Sequence, residues 1–276
     1  MRRWIVLTVA ALVALAPNAA AAQPAPPDPV QALKKQLRAE RGVDVAEVSR
    51  VTFRGGSTSR TRVKGGIQFG TDGPVASYVT FSGVPQKHGE LLDDVQMIIT
   101  PGQIFMGADG LELPSGKRWL GFKAPKGVEI IPLPGLVLSG QTINVLDPAV
   151  LKAVLKGSKV KSVPGGHLYQ GVVTYAELYR ASTSYYAMRF GKGSLGELAG
   201  RKISWRLWTD RQGLVKRLMS NEKGPFDEGA DTRYSGWGQR MIITPPPADE
   251  VMDWGEFLDR PLDLSSFDLT PFRTSR

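Results

Sequence analysis

The chain is 276 residues long, with 35 Lys+Arg against 26 Asp+Glu, two His and no Cys. Charged residues at 22% and hydrophobic ones at 42% are globular proportions, which excludes wholesale disorder. The lack of Cys excludes disulfide scaffolds, thiolate metal sites, iron–sulfur clusters and cysteine nucleophiles.

In chain order, residues 1–22 read as an export signal. Arg2 and Arg3 supply a positive start, Ile5 to Ala16 is apolar, and Ala20-Ala21-Ala22 offers small residues for cleavage. The apolar stretch is short for a membrane span. Arg2-Arg3 leaves Sec and twin-arginine export both open. Removing these two arginines leaves 33 basic against 26 acidic residues, a net charge of +7 for the mature chain. Residues 23–29 form a Pro-rich leader, 30–260 read as a single domain, and 261–276 read as a C-terminal tail.

Val30, Leu33 and Leu37 recur at helical spacing and predict a helix from Val30 to Arg41, stopped by Gly42. From Val48 to Phe122 the period shifts to two. Arg60–Phe69, Val75–Phe81, Asp94–Thr100, Gln103–Met106 and Arg118–Phe122 are five strand candidates, separated by Gly, Pro and Asp. Lys123 to Gly140 reads as an irregular Pro- and Gly-rich insertion whose run from Ile130 to Leu138 is unusually apolar. Packing over one end of the core and covering an apolar cavity are both open to it. Asp147-Pro148 caps a helix running to about Lys156.

His167–Thr174 reads as a strand, followed by a short helix from Ala176 to Tyr179. Lys202–Thr209 alternates cleanly, turns at Asp210–Gly213 and returns along Leu214–Met219 as a hairpin. Arg233–Trp237 and Arg240–Thr244 are expected to make the last strand pair, and Pro245-Pro246-Pro247 to end regular structure. The fold class is therefore α+β, with an antiparallel sheet and a few helices set apart in sequence.

Catalytic patterns are few, and each fails its context. Gly191-Lys-Gly193-Ser-Leu-Gly196 lacks the long helix that a dinucleotide loop needs, because Gly200 follows so soon. Ser158/Lys161 and Ser220/Lys223 have the serine–lysine spacing without its companion motifs. His88 and His167 read as a loop residue and a strand-end residue. Asp93-Asp94, Asp227-Glu228 and Asp249-Glu250 are neighbours, which an extended chain points to opposite faces. The expectation is no enzyme, no metal and no cofactor. Basic clusters at Arg50, Arg54, Arg60, Arg62 and Lys64 and at Lys152, Lys156, Lys159 and Lys161 suit an anionic membrane or wall polymer, with export arguing against nucleic acid.

Four segments in order resemble the actinobacterial LppX/LprG-type lipoproteins. They are Leu111–Phe122 with Gly116-Lys-Arg-Trp119, Tyr169–Leu178, Ile203 through Asp210 to Gly213-Leu-Val, and Thr232–Gly238 with Met241–Pro246. The resemblance spans roughly residues 30 to 250. It implies a LolA-like half-barrel, a strongly curved antiparallel sheet packed on a few helices around an apolar cavity. It also implies a non-catalytic binder or carrier of a lipid or other apolar ligand. That family's lipidated cysteine has no counterpart here, so a secreted, unanchored carrier in the cell envelope is expected, extracellular or wall-associated. An envelope interaction or sensor protein that binds a partner protein through a LolA-like domain is the alternative. Strand alternation supplies the expected cavity residues, Val95, Met97 and Ile99, then Ile203, Trp205 and Leu207, with Trp119 near the mouth; simple filling of the core is equally open to each of the seven.

Overall fold

A computed structural model describes residues 26–53, 56–85, 91–92, 94–108, 113–123, 140–191, 195–224 and 227–259. The strands are β1 (Arg41–Thr52), β2 (Thr58–Phe69), β3 (Pro74–Ser82), β4 (Val84–Pro85), β5 (Leu91–Leu92), β6 (Val95–Thr100), β7 (Gln103–Gly107), β8 (Trp119–Lys123), β9 (Lys159–Val163), β10 (Gly166–Thr174), β11 (Lys202–Asp210), β12 (Val215–Glu222), β13 (Asp227–Arg240) and β14 (Val251–Asp253). The helices are α1 (Pro29–Gln36), α2 (Pro148–Leu155), α3 (Tyr175–Ala181), α4 (Thr183–Phe190) and α5 (Trp254–Leu258).

Twelve strands form one curved, unclosed sheet in the order β14-β8-β7-β6-β3-β2-β1-β13-β12-β11-β10-β9. Every pairing in it is antiparallel except β14 on β8. Two meanders, β1 to β8 and β9 to β13, join where β1 zips to β13 from Arg41↔Arg240 to Thr52↔Asp227, with one bulge near Gly42. Helices α1 to α4 pack on one another and on β10. They lie over the inner face, where a continuous apolar core runs from Phe81, Met97 and Ile99 through Val43 and Val63 to Leu207, Leu178 and Tyr186.

Local chemistry explains most boundaries. Asp28 and Asp147 cap α1 and α2, each accepting from backbone N–H groups of the first turn, and each helix opens on a proline that needs no donor there. Thr174 and Glu177 form a capping box at α3. The β11–β12 hairpin closes on Asp210, whose Oδ1 accepts from Gln212 N and Leu214 N at 2.9 Å each, and on Gly213 at φ +87°.

Several sequence expectations are corrected. Helix α1 ends at Gln36, and the chain is already extended from Arg41. In β1 the inward positions are Val43, Val45, Glu47 and Ser49, so two polar members hide the apolar alternation. Strand β9 and helix α4 had no predicted counterpart. The expected final pair is instead one long strand, β13, bound to β12 on one side and β1 on the other. Residues Met241 to Thr244 do not continue as a strand; Ile243 N donates to Gln68 Oε1 at 2.7 Å. Regular structure resumes after the prolines as β14 and α5, which with Leu120, Met252 and Phe257 make a small second core. The signal, His88, the 124–139 part of the insertion and the tail from 261 lie outside the described residues.

Close approach of strands demands glycine at Gly65, where an added β-carbon would fall 1.9 Å from the Tyr78 carbonyl oxygen. Gly65→Ala must push β2 and β3 apart at the centre of the sheet. Its expected cost is about 2 kcal/mol, measured as a lower denaturation midpoint, whereas Gly102→Ala in an open turn should cost less.

Candidate functional site

The inner face of the sheet carries the expected residues, and the strand register decides which of them meet. Val95, Met97 and Ile99 project from β6, while Ile203, Trp205 and Leu207 project from β11; all six are at most 4% exposed and belong to the main core. Val79 pairs with Met97 and Phe81 with Val95, and Met97 pairs in turn with Met106. This makes an apolar band across β3, β6 and β7. No helix is a principal packing partner of those three strands, since the helix layer sits over the β10 flank.

Trp119 stands apart. Met106 is paired with Leu120, so Leu120 shares the face of Met97 and Trp119 points to the opposite, outer side. There it is half-buried against Gly107, whose β-carbon would lie 3.5 Å from Trp119 Cε3. It belongs to the outer surface and not to the apolar inner face.

On the other flank, Trp205 is paired with Gly171, whose lack of a side chain makes room for the indole. A β-carbon there would lie 2.8 Å from Trp205 Cζ2. Trp205 is 3% exposed, yet its Nε1–H has no hydrogen-bond partner among the described residues. A buried donor left unpaired costs on the order of 1–3 kcal/mol. Thr209 Oγ1, two residues beyond Leu207 on the same face of β11, and His167 Nδ1 on its cross-strand neighbour are likewise buried without a hydrogen-bond partner among the described residues.

Sequence reasoning missed a buried polar seam that crosses the middle of the inner face. Residues 140–146 run across the sheet as a strap. Gln141 Nε2 donates to Thr232 Oγ1 at 3.2 Å, and Thr232 Oγ1 donates to Glu47 Oε2 at 3.1 Å. Ser220 Oγ donates to Gln141 Oε1 at 2.9 Å, which places the serine of the Ser220/Lys223 pattern in a structural role. Tyr186 OH donates to the Thr142 carbonyl at 3.0 Å and accepts from Asn144 N at 3.4 Å. Glu47, Ser220 and Thr232 occupy ordinary inward positions in their strands, so alternation signals their direction, but nothing signals the partners in the strap and in α4.

The seam ends in a charged cluster. Tyr175 OH donates to Glu222 Oε2, and Arg201 pairs with Glu222 Oε1. Glu222 faces Glu228 directly across β12 and β13. Burial, then hydrogen bonding to Glu222, drives the Tyr175 phenol far above its ordinary value, so it stays protonated and donates. Burial likewise raises Tyr186, Tyr185 and Tyr234, none of which becomes a phenolate nucleophile. His167 sits between Ser162 and Thr209 in the ladder, with no carboxylate among those cross-strand neighbours to orient it. Among the described residues no group of three or more His, Cys, Asp or Glu is placed to hold a metal. The cluster gathers charge around Glu222.

Burial, then the charge of Glu222, lifts the Glu228 carboxyl above the usual range, against the pull of Arg201 and Arg189. The folded state thus holds this proton more tightly than the unfolded chain. That contribution is full below the unfolded carboxyl value of about 4.3 and is lost as pH rises through the raised folded value. Glu228→Gln is expected to raise the unfolding midpoint at neutral pH and to lose that advantage near pH 4. Glu222→Gln, which strands the quarter-exposed Arg201, is expected to cost roughly 2–3 kcal/mol at neutral pH. Thermal unfolding of both variants across this pH range checks the pair.

No protein-family model matches the chain, and no curated protein matches it. Among solved structures, it is similar to a LolA superfamily protein from Nitrosomonas europaea, at 8% identity over 79% of this chain and 93% of that one, TM-score 0.31. It is also similar to a putative outer membrane lipoprotein-sorting protein domain from Vibrio parahaemolyticus, at 9% identity over 75% and 88%, TM-score 0.28. A DUF1329 family protein from Desulfovibrio piger is similar at 10% identity over 89% and 100%, TM-score 0.22.

Proposed function

We propose that the chain is an exported, non-catalytic binder or carrier of a lipid or other apolar ligand in the cell envelope, of the LppX/LprG type. Residues 1–22 are its export signal, and 30–260 its folded unit. The observation that carries this reading is the mismatch between the two layers. The inner sheet face is apolar across β3, β6 and β7, while helices α1 to α4 have their main strand contacts on β10. An acyl chain laid along Val95, Met97, Ile99, Ile203, Trp205 and Leu207 gains about 0.8 kcal/mol for each methylene removed from water. The unpaired indole N–H of Trp205 offers a polar contact that can orient a head group on this wall.

Among the described residues no helix is long and apolar enough to cross a membrane. The carrier's surface would meet an anionic membrane or wall polymer from outside.

The test is uptake of a fluorescent fatty acid by the purified chain, with native mass spectrometry to count bound lipid. Saturable binding is expected. Met97→Asp should weaken it at least tenfold, about 1.4 kcal/mol. Trp205→Phe should keep the fold and loosen the head-group contact. Absence of uptake by the unmodified chain overturns the proposal. Unchanged binding by both variants, with circular dichroism showing them folded, overturns the lining.

A further inference from the structure

The outer face of the same sheet carries a different chemistry, and its cations fall into register. One row across the strands reads Lys159, Gln170, Arg206, Met219, Asp231, Val48 and Arg62. The next row holds Lys161, Arg217, Arg233 and Lys64, with Leu168, Trp208 and Ala46 between them. A third sets Arg50 directly opposite Arg60. Asp231 is the one carboxylate in these three rows among the described residues, and Arg217 already engages it at 2.6 and 2.7 Å. Apart from Arg217, which is half-buried, the cations are exposed. A groove of about 700 Å³ opens at one end of these rows, walled by Arg50, Arg60, Arg62, Arg217 and Lys223 and also by the carboxylates Glu222, Asp227, Glu228 and Asp231.

Two of these contacts work against the fold. Arg50 faces Arg60, and Arg217 faces Arg233, and like charges directly opposite each other in a ladder are destabilising. Cross-strand partners stand only about 5 Å apart at the backbone, so each pair can direct two guanidiniums at a single anion. That suits a tetrahedral phosphate, which offers acceptors in several directions, better than the single edge of a carboxylate. Along β2, Arg60, Arg62 and Lys64 repeat at every second residue, about 6.8 Å apart. The cations therefore track a line and do not converge on one small-molecule pocket.

We propose that this outer face binds a flexible, linear, phosphate-bearing polymer of the wall type, laid across the strands. The face is the convex side of a curved sheet, so a flat bilayer would touch its crest alone, whereas a flexible chain can follow the rows. The choice of a wall-type polymer over nucleic acid rests on the export reading given above; the binding itself does not depend on the apolar site.

The probe is long-chain inorganic polyphosphate, titrated against the full chain at several salt concentrations. Binding is expected, with log K falling linearly in log salt. The combined variant Arg60→Gln, Arg62→Gln, Arg206→Gln, Arg233→Gln should lose at least tenfold in affinity, and its salt slope should fall by about one for each cation removed. Because the variant relieves both facing pairs, its thermal midpoint should hold or rise. Lys34→Gln with Lys35→Gln, on the exposed side of α1, should bind as the unmodified chain does. Equal binding by the fourfold variant overturns the proposal, as does an equal loss in the α1 variant. Binding to phosphatidylglycerol vesicles without binding to polyphosphate overturns it in favour of a bilayer. Fatty-acid uptake is read separately in every variant and should not change, so failure here and failure of the carrier reading remain distinguishable.

Discussion

The fold hangs on one long-range pairing. Strand β1, starting at Arg41, is hydrogen-bonded to β13, ending at Arg240, and this ladder joins two meanders that are otherwise local in sequence. Each meander can form from neighbouring strands, but neither has a complete inner face alone. Closing nearly the whole chain into one contact carries a loop entropy that grows slowly with length, and the ladder and the core beneath it have to exceed it. The seam then depends on this pairing directly. The contact between Thr232 and Glu47 crosses the β13–β1 junction, and Gln141 is held by side chains from β12 and β13 at once.

Once that junction exists, the two faces of the sheet divide the labour of charge. Inward, the acids Glu47, Glu222 and Glu228 are buried or half-buried, with Glu47 met by a hydroxyl and Glu222 by a phenol and an arginine. Outward, the same strands present Arg50, Arg206 and Arg233 to water. The period of two makes this possible without any segment becoming uniformly acidic or basic. The Asp227-Glu228 pair shows it at single-residue scale, with one carboxylate exposed and the next turned towards Glu222.

How much of this could be read from the amino-acid order depends on whether a residue's role is local. The β11–β12 hairpin was legible because apolar alternation, an Asp–Gly turn and strand length agree over one short stretch. Helix α2 was legible from its Asp147-Pro148 cap, and the presence of α1, though not its end, from the spacing of Val30, Leu33 and Leu37. Strand β13 was not, because Gly229, Gly236 and Gly238 and its acids mask a strand held by partners on both sides. Helix α4 was missed for want of a side-chain cap. For the site, alternation states which residues of one strand share a face, and it correctly grouped Val95 with Met97 and Ile203 with Trp205. It cannot relate the face of one strand to that of the next, which is why Trp119 was placed with them while Leu120 is the residue that shares the face of Met97. The seam was invisible for the same reason: its hydrogen bonds reach 79, 91 and 185 residues along the chain.

An unclosed sheet has two borders, and this one blunts them by different means. At β14 the border strand is only three residues long, runs parallel to its neighbour and is followed at once by α5. At β9 five residues lie open, but Lys159 and Lys161 alternate with Val160 and Ser162. A second molecule trying to add its own β9 would bring ammonium groups against ammonium groups. Such borders let a sheet remain open without templating fibres or stacks of itself. The protein thereby keeps an open sheet without the polymerisation hazard that free strand edges ordinarily bring, a property that matters most when many copies are crowded together.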